Sequence, residues 1–172
     1  MAIDVKIAKN EDEYLKCLDI RKSVFINEQK VDKNLEIDEF EKTCTHFLVY
    51  VDLQAVATGR FRIKNSFLKF ERMAVLKEFR GKGLGSILLK HMVDVGYKKY
   101  PRYLQIMHAQ EGALHFYKKM GWEVSSKSFI KADIKHYLMV NFLKDQTYIK
   151  NLKCLKEPSL DADLKKRLES YL

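Results

Sequence analysis

An α+β (mixed α/β) domain, with a central mixed, mostly antiparallel sheet flanked by helices, is predicted by three observations. Two β-rich runs, "THFLVYVD" and "AVATGRFRIK", are separated only by Asp52, Leu53 and Gln54, which reads as a hairpin; a turn at Lys64–Ser66 leads into a third run, "FLKFERMAV". A loop carrying Gly81, Gly83 and Gly85 follows at once, and then Leu88, Met92 and Val95 recur at helical spacing opposite Lys90, Asp94 and Lys98. Beyond Pro101 the pattern becomes strand, helix, two strands, so helices are interspersed with the sheet.

Each element has its own reason. Asn10 precedes Glu11, Asp12 and Glu13 and suits the cap of a first helix running to about Ser23. The polar, acidic stretch "KVDKNLEIDEFEK" reads as a loop or a short second helix. The helix after the glycine loop is expected to end near Gly96 or a turn later, "YLQIMHA" to be a buried strand, and "EGALHFYKKMG" a brief helix closed by Gly121. "WEVSSKSF" and "KHYLMVNFL" complete the sheet as a final strand pair. One domain spans residues 1–143, because 172 residues at 47% hydrophobic composition support a single core and are short for two. Residues 144–172 are expected to form a C-terminal helical extension: Ser159 can cap a helix whose Leu160, Leu164, Leu168 and Tyr171 share one face. That apolar face needs a partner, either its own domain or a second copy in a homodimer.

Charge narrows the function. The formal net charge is +9, and between Arg60 and Arg102 twelve basic residues face three acids, a difference equal to the whole of it. Positive charge is thus placed around the glycine loop, where a small polyanion accounts for it as well as a nucleic-acid groove would; the balance of charge outside that stretch argues against a nucleic-acid partner, and none is expected. No run of eighteen apolar residues occurs and acids interrupt the N-terminal stretch, so neither a membrane partner nor export is expected. Cys17, Cys44 and Cys154 are odd in number and widely spaced; free thiols in a reduced cytoplasmic setting, and no metal, are the expectation.

The loop itself excludes two chemistries. A dinucleotide fingerprint needs G-x-G-x-x-G with an acid about twenty residues on, and the positions from Tyr103 to Gln105 supply none. A Walker loop needs Gly-Lys followed by Ser or Thr, and Lys82 is followed by Gly83. What remains is an alternating-glycine loop with an arginine at a helix N-terminus, a nest for a pyrophosphate or a ligand-free turn.

The segment "RGKGLG" resembles the pyrophosphate loop of the GNAT superfamily of acyl-CoA-dependent N-acetyltransferases, Q/R-x-x-G-x-G/A, at Arg80, Gly83 and Gly85. "ERMAV" upstream resembles that family's central strand, and "ALHFYKKMGW" downstream its A-x-x-F-Y-x-x-x-G-F/W segment. "SVFINEQKV", "EIDEFE", "THFLVY" and "IKHYLM" look like the signatures of the small bacterial ElaA/YjcF-like branch, extending the likeness over Arg21–Met139. The resemblance implies a GNAT-type acyl-CoA N-acyltransferase fold whose fourth strand, Lys69–Leu76, and fifth, Tyr103–Ala109, splay to grip pantetheine. It implies acetyl-CoA as co-substrate, held by backbone of Met73, Ala74 and Val75, by N–H groups of Arg80, Gly81, Lys82, Gly83, Leu84, Gly85 and Ser86, and by Phe116 and Tyr117. Tyr117 would be the general acid for the thiolate. Glu71 would be the base working through water, or else a strand carboxylate paired with Arg72 or a lysine. Glu28 and His136 would line the pocket of a small-molecule or peptide amine. The implied activity is transfer of acetyl from acetyl-CoA to a primary amine by direct attack in a ternary complex; the alternative is a catalytically silent acyl-CoA-binding or interaction module.

Overall fold

In the computed structural model, which describes residues 1–172, eight strands form one sheet. They are β1 (Ile3–Ile7), β2 (Thr45–Val51), β3 (Gln54–Lys64), β4 (Phe67–Val75), β5 (Leu104–Gln110), β6 (Glu123–Val124), β7 (Phe129–Lys131) and β8 (Ile134–Asn141). Their order is β1-β2-β3-β4-β5-β8-β6, with β7 also on β8. The helices are α1 (Glu11–Arg21), α2 (Lys33–Glu36), α3 (Leu84–Lys99), α4 (Leu114–Lys119), α5 (Gln146–Lys150) and α6 (Ala162–Glu169). The chain divides into two compact units, residues 1–62 with 70–94, and residues 63–69 with 95–172; the division passes through β3, β4 and α3.

In the first unit, β1 is an addition to the expected elements. Ile3, Val5 and Ile7 alternate, and the strand pairs antiparallel with β2 from Ile3↔Val51 to Ile7↔Phe47. The β2–β3 hairpin closes through Asp52 and Leu53, both at positive φ, the mirror-image turn that matches strand twist. Asn10 caps α1 as expected, its Oδ1 accepting from Glu13 N–H at 2.9 Å. The helix does not stop near Ser23; Lys22–Glu28 continues it as a π-helical segment. Cys17, Ile20 and Val24 pack with Leu48 and Ala74. On α3, Leu84, Leu88, Leu89 and Met92 are buried. Gly59 packs closely against them: a Cβ there would stand 2.7 Å from the Met92 sulfur, and that side chain would have to shift.

In the second unit, β5 and β8 pair antiparallel from Gln105↔Asn141 to Gln110↔His136. The expected two-strand ending becomes three, with β6 and β7 both paired to β8. The C-terminal segment is more structured than one helix: α5 is capped by Asp145, and a 3-10 turn covers Lys153–Lys156. Ser159 does not cap α6. Asp161 does, its Oδ1 accepting from Leu164 N–H at 2.9 Å, so the helix begins two residues later than expected. Tyr148, Ile149, Leu152, Cys154, Leu164 and Leu168 share one core with Leu104, Ile106, Val140 and Phe142. Tyr148 donates to the Tyr103 carbonyl at 2.7 Å, and Arg167 donates to the Val124 carbonyl at 3.1 Å.

Leu168 is fully buried in that core. Leu168→Ala is expected to lower unfolding stability by about 2–5 kcal/mol through lost packing and a residual cavity, read as a lowered denaturant midpoint.

Candidate active site

The chemistry of the first unit begins on β4. Arg72, in the middle of that strand, has φ 57°, a left-handed backbone that an arginine adopts at a cost of about 1–3 kcal/mol. Its guanidinium holds the residue there by reaching the segment around α2: it donates to the carbonyls of Glu36 and Leu35, each at 3.1 Å, and to Asp38 at 3.2 Å. Arg21 on α1 grips the same segment, with Glu36 at 2.6 Å and Glu41 at 2.7 Å. Arg60 on β3 completes the array, contacting Asp38, Glu41 and Glu71.

Glu71 therefore sits inside an ion-pair network rather than alone. Its carboxylate is 6% exposed and accepts from Arg60 Nε at 3.0 Å, from Arg60 NH2 at 2.7 Å and from Arg62 Nε at 3.3 Å. The arginines involved are those of β3, one strand over. Burial pushes Asp38 upward, but its hydrogen bond and charge contact with Arg60, the Phe40 N–H and Arg72 outweigh that and hold it at about 2, against an ordinary 3.8. Burial works against the charged forms of Arg21 and Arg60, yet their carboxylate partners win and both guanidinium pKa values are driven up. Burial pushes the thiols of Cys17, Cys44 and Cys154 up to about 11, so they are protonated at neutral pH and make poor nucleophiles.

Beyond β4 a 3-10 turn at Lys77–Phe79 leads to the glycine loop. Gly81 and Gly83 have φ 76° and 78°, and a Cβ at either would meet nothing within 4 Å. Glycine is required here by backbone conformation, not by crowding. The first bond of α3 runs from Ile87 N–H to the Gly83 carbonyl at 3.1 Å, so the N–H groups of Leu84, Gly85 and Ser86 have no partner within the helix. Arg80 turns its side chain back: Nε donates to the Val75 carbonyl at 2.9 Å, and the two terminal nitrogens bind Glu28 at 2.6 and 2.8 Å. The structure thus joins Glu28 to Arg80, a pairing the sequence did not suggest. Met73, Ala74 and Val75 lie on the last three positions of β4.

Phe116, Tyr117 and His136 belong to the second unit. Tyr117 on α4 packs edge-on against Phe116, with ring centroids 5.0 Å apart, and burial pushes its hydroxyl up to about 12. His136 on β8 stacks on Phe129 at 5.9 Å, and its Nδ1 lies 2.7 Å from the Ile134 carbonyl. His108 on β5 meets the other side of that cluster, its ring 4.9 Å from Phe129. No group of three His, Cys, Asp or Glu is placed to hold a metal, and no helix is long and apolar enough to cross a membrane.

Strand, left-handed glycine loop and open helix start, in that order, match a known family: residues 12–122 fit the model of the acetyltransferase (GNAT) family. The chain belongs to the GNAT family. A Bacillus subtilis relative described as an uncharacterized N-acetyltransferase, YjcF, is 39% identical over 139 residues, covering 78% of this chain and 96% of its own. Among solved structures, Escherichia coli ElaA superposes with a TM-score of 0.73 at 18% identity over 80% of this chain and 99% of its own. A GNAT acetyltransferase from Elizabethkingia anophelis with acetyl-CoA bound gives 0.57 at 15% identity over 80% and 94%. The likeness to the ElaA/YjcF-like branch and the mixed sheet of the GNAT fold are both found, and the protein is an acyl-CoA-dependent N-acetyltransferase of this family.

The GNAT ion-pair network sets two expectations. Glu71→Gln leaves buried guanidinium charge without its full partner and should cost about 3–5 kcal/mol of stability, measured by denaturant unfolding. Asp38 has a depressed pKa, so its contribution is complete above 3.8 and is lost as pH falls toward 2, about 2 kcal/mol in all. Asp38→Asn should be less stable at pH 6 and show a flatter stability profile below pH 4.

Proposed function

We propose that the protein transfers the acetyl group of acetyl-CoA to a primary amine by direct attack in a ternary complex. The observation that carries this is the loop from Arg80 to Ser86, where Gly81 and Gly83 take left-handed backbone and the first N–H groups of α3 are left open. Such groups suit a pyrophosphate, because each N–H is a preorganised donor and the helix dipole favours negative charge. The bound acetyl-CoA of the Elizabethkingia relative supports that choice of co-substrate. In this reading Arg80 shapes the loop: its backbone N–H donates to the Lys77 carbonyl at 3.3 Å, and its side chain fixes the loop to Glu28 and to Val75.

The reaction joins the amine nitrogen to the thioester carbonyl carbon and breaks the carbon–sulfur bond. Tyr117 gives its phenolic proton to the departing thiolate and regains one, through water, from the nitrogen that sheds it on becoming the amide. A phenol held up at about 12 is protonated at neutral pH, which a donor requires. The oxyanion formed on attack is met by backbone N–H near Val75. An alkyl ammonium with a pKa of about 10.4 must lose a proton first. Glu71 enters this reading chiefly as the anchor of Arg60 and Arg62; a carboxylate already held by two guanidinium groups takes a proton only at the expense of those pairs. Loss of the ammonium proton to water is therefore the route the geometry favours. Met73, Ala74 and Val75 supply the strand edge for pantetheine, and Phe116 the ring beside Tyr117.

Calorimetry with acetyl-CoA tests the co-substrate. Saturable binding at micromolar to low millimolar concentration is expected for the native chain, and at least a tenfold loss for Gly83→Trp with the fold preserved by circular dichroism. No binding, or binding indifferent to Gly83→Trp, removes the reading. Tyr117→Phe should slow turnover tenfold or more with acetyl-CoA affinity nearly unchanged. Tight binding without thiol release across amines and peptides would favour the silent module.

A further inference from the structure

The first unit carries an edge strand that acetyl transfer, as described, does not use. Strand β1 stands first in the strand order and pairs on one side only, with β2. Bonds just beyond its two ends fix which way its backbone faces: the Ala2 carbonyl accepts from Asp52 N–H at 2.9 Å, and Ala8 N–H donates to the His46 carbonyl at 2.8 Å. By alternation the groups turned toward β2 are those of Asp4 and Lys6, while the N–H and C=O groups of Ile3, Val5 and Ile7 point away from it and have no partner in the chain. A row of open donors and acceptors on a sheet edge is a template for one more strand.

The side chains make that edge complementary to itself. Ile3, Val5 and Ile7 are apolar, and one charge of each sign, Asp4 and Lys6, flanks Val5. Set antiparallel to a second copy with Val5 opposite Val5, the strand places Ile3 opposite Ile7 and Asp4 opposite Lys6, each twice over by symmetry. The residues with outward backbone groups then meet one another, and each of their pairs exchanges two N–H···O bonds. Asp4 and Lys6 fall at the pairs without such bonds, where side chains come closest. Asp4 is exposed and makes no hydrogen bond or ion pair within its own chain. The Lys6 ammonium meets Glu13 at 2.5 Å, but its side chain is 38% exposed and it has further protons to donate. Charge also selects the register. Moving the pairing by two residues sets Asp4 against Asp4 in one direction and Lys6 against Lys6 in the other, and a slip of one residue sets charged side chains against apolar ones. An edge guarded against self-pairing carries charges that repel in every register, whereas β1 has one antiparallel register in which they attract.

We propose that β1 is an interface between two copies of this chain, paired antiparallel about a two-fold axis at Val5, so that β3, β2 and β1 of one copy continue into β1, β2 and β3 of the other. A second copy is the occupant because it supplies both the apolar alternation and the reversed order of charges that this edge requires. Ile3, which is 37% exposed, and the half-buried Val5 and Ile7 then form one apolar band with their counterparts on the same face of the joined sheet. The C-terminal helix offers no such contact through its apolar face, since Leu164 and Leu168 are buried in their own core. Size sets the strength: stable interfaces bury about 1,200–2,000 Å² in total and a pair of five-residue strands covers less, so the dimer is a reversible one with a dissociation constant in the micromolar to millimolar range. The interface is independent of the acetyltransferase reading.

Sedimentation velocity on the full chain, from about 10 μM to about 1 mM, tests it. A concentration-dependent monomer–dimer equilibrium is expected; a monomer throughout that range overturns the proposal, whether or not the edge takes up an unrelated extended peptide. Val5→Pro removes only an outward donor, because the bonds to β2 come from Asp4 and Lys6, so it should raise the dissociation constant at least tenfold while circular dichroism stays native. Asp4→Lys sets like charges at both mixed pairs and changes only an exposed side chain, so it decides the matter where Val5→Pro fails to fold. It too should weaken the dimer at least tenfold, and less so at high salt. Undiminished dimerisation by either folded variant overturns the proposal. The register has its own readout. Under mild oxidation Val5→Cys should give a disulfide-linked dimer, its two Cα atoms being about 5.5 Å apart in the pair, and Ile3→Cys should not, its copies lying roughly 14 Å apart. Equal linking at the two positions, or linking at neither, overturns it.

Discussion

Much of the first unit depends on one constraint: guanidinium charge placed out of water must meet carboxylates in matching geometry. Arg21 and Arg60 are each 1% exposed, and between them they contact Glu36, Asp38, Glu41 and Glu71. The desolvation penalty for each ion is several kcal/mol, and only multiple aligned hydrogen bonds offset it. The network therefore adds little net stability, but it strongly penalises any arrangement in which one member is missing. That penalty ties α1, the segment around α2, β3 and β4 to one register, and it holds Arg72 at a positive φ that β4 would not adopt unaided.

The same constraint explains what could be read from the sequence and what could not. The Asn10 cap was legible because its signal is local, an Asn before three acids, and so was the glycine loop, whose spacing excluded other phosphate loops before any fold was known. The full set of partners of Glu71 was not legible. Arg72, its neighbour in sequence, enters the same network through Asp38 and through its attraction to Glu71, while Arg60 and Arg62 reach the carboxylate from across the sheet. Asp161 in place of Ser159 reflects a choice between two good caps that only the docking of Leu164 and Leu168 decides. Strand β1 had a visible alternation in Ile3, Val5 and Ile7, yet its first residues stay exposed and its identity rests on pairing with β2.

Ion pairs within the fold take up much of the charge around the glycine loop. The stretch from Arg60 to Arg102 does hold an excess equal to the net charge of the chain, but Arg60, Arg62 and Arg72 are matched by carboxylates within the fold, and Arg80 is matched by Glu28. The field open to a polyanion at the glycine loop is smaller than the sequence count suggests. Backbone N–H groups and the dipole of α3 must then carry more of the recognition, which is why the conformation of Gly81 and Gly83 matters more than the number of nearby cations.

Arginine and lysine divide the work along physical lines. Six of the seven arginines engage a carboxylate: Arg21, Arg60, Arg62, Arg72, Arg80 and Arg167. The guanidinium fork fits such fixed pairs, since it donates in a plane and binds water less tightly than an ammonium does. Lysine supplies a rounder, more mobile charge, and Lys64, Lys69 and Lys131 act on His108 through space. Substituting Lys for Arg60 would thus retain the charge and lose the three-carboxylate fork, whereas substituting Arg for Lys131 would retain the field at His108.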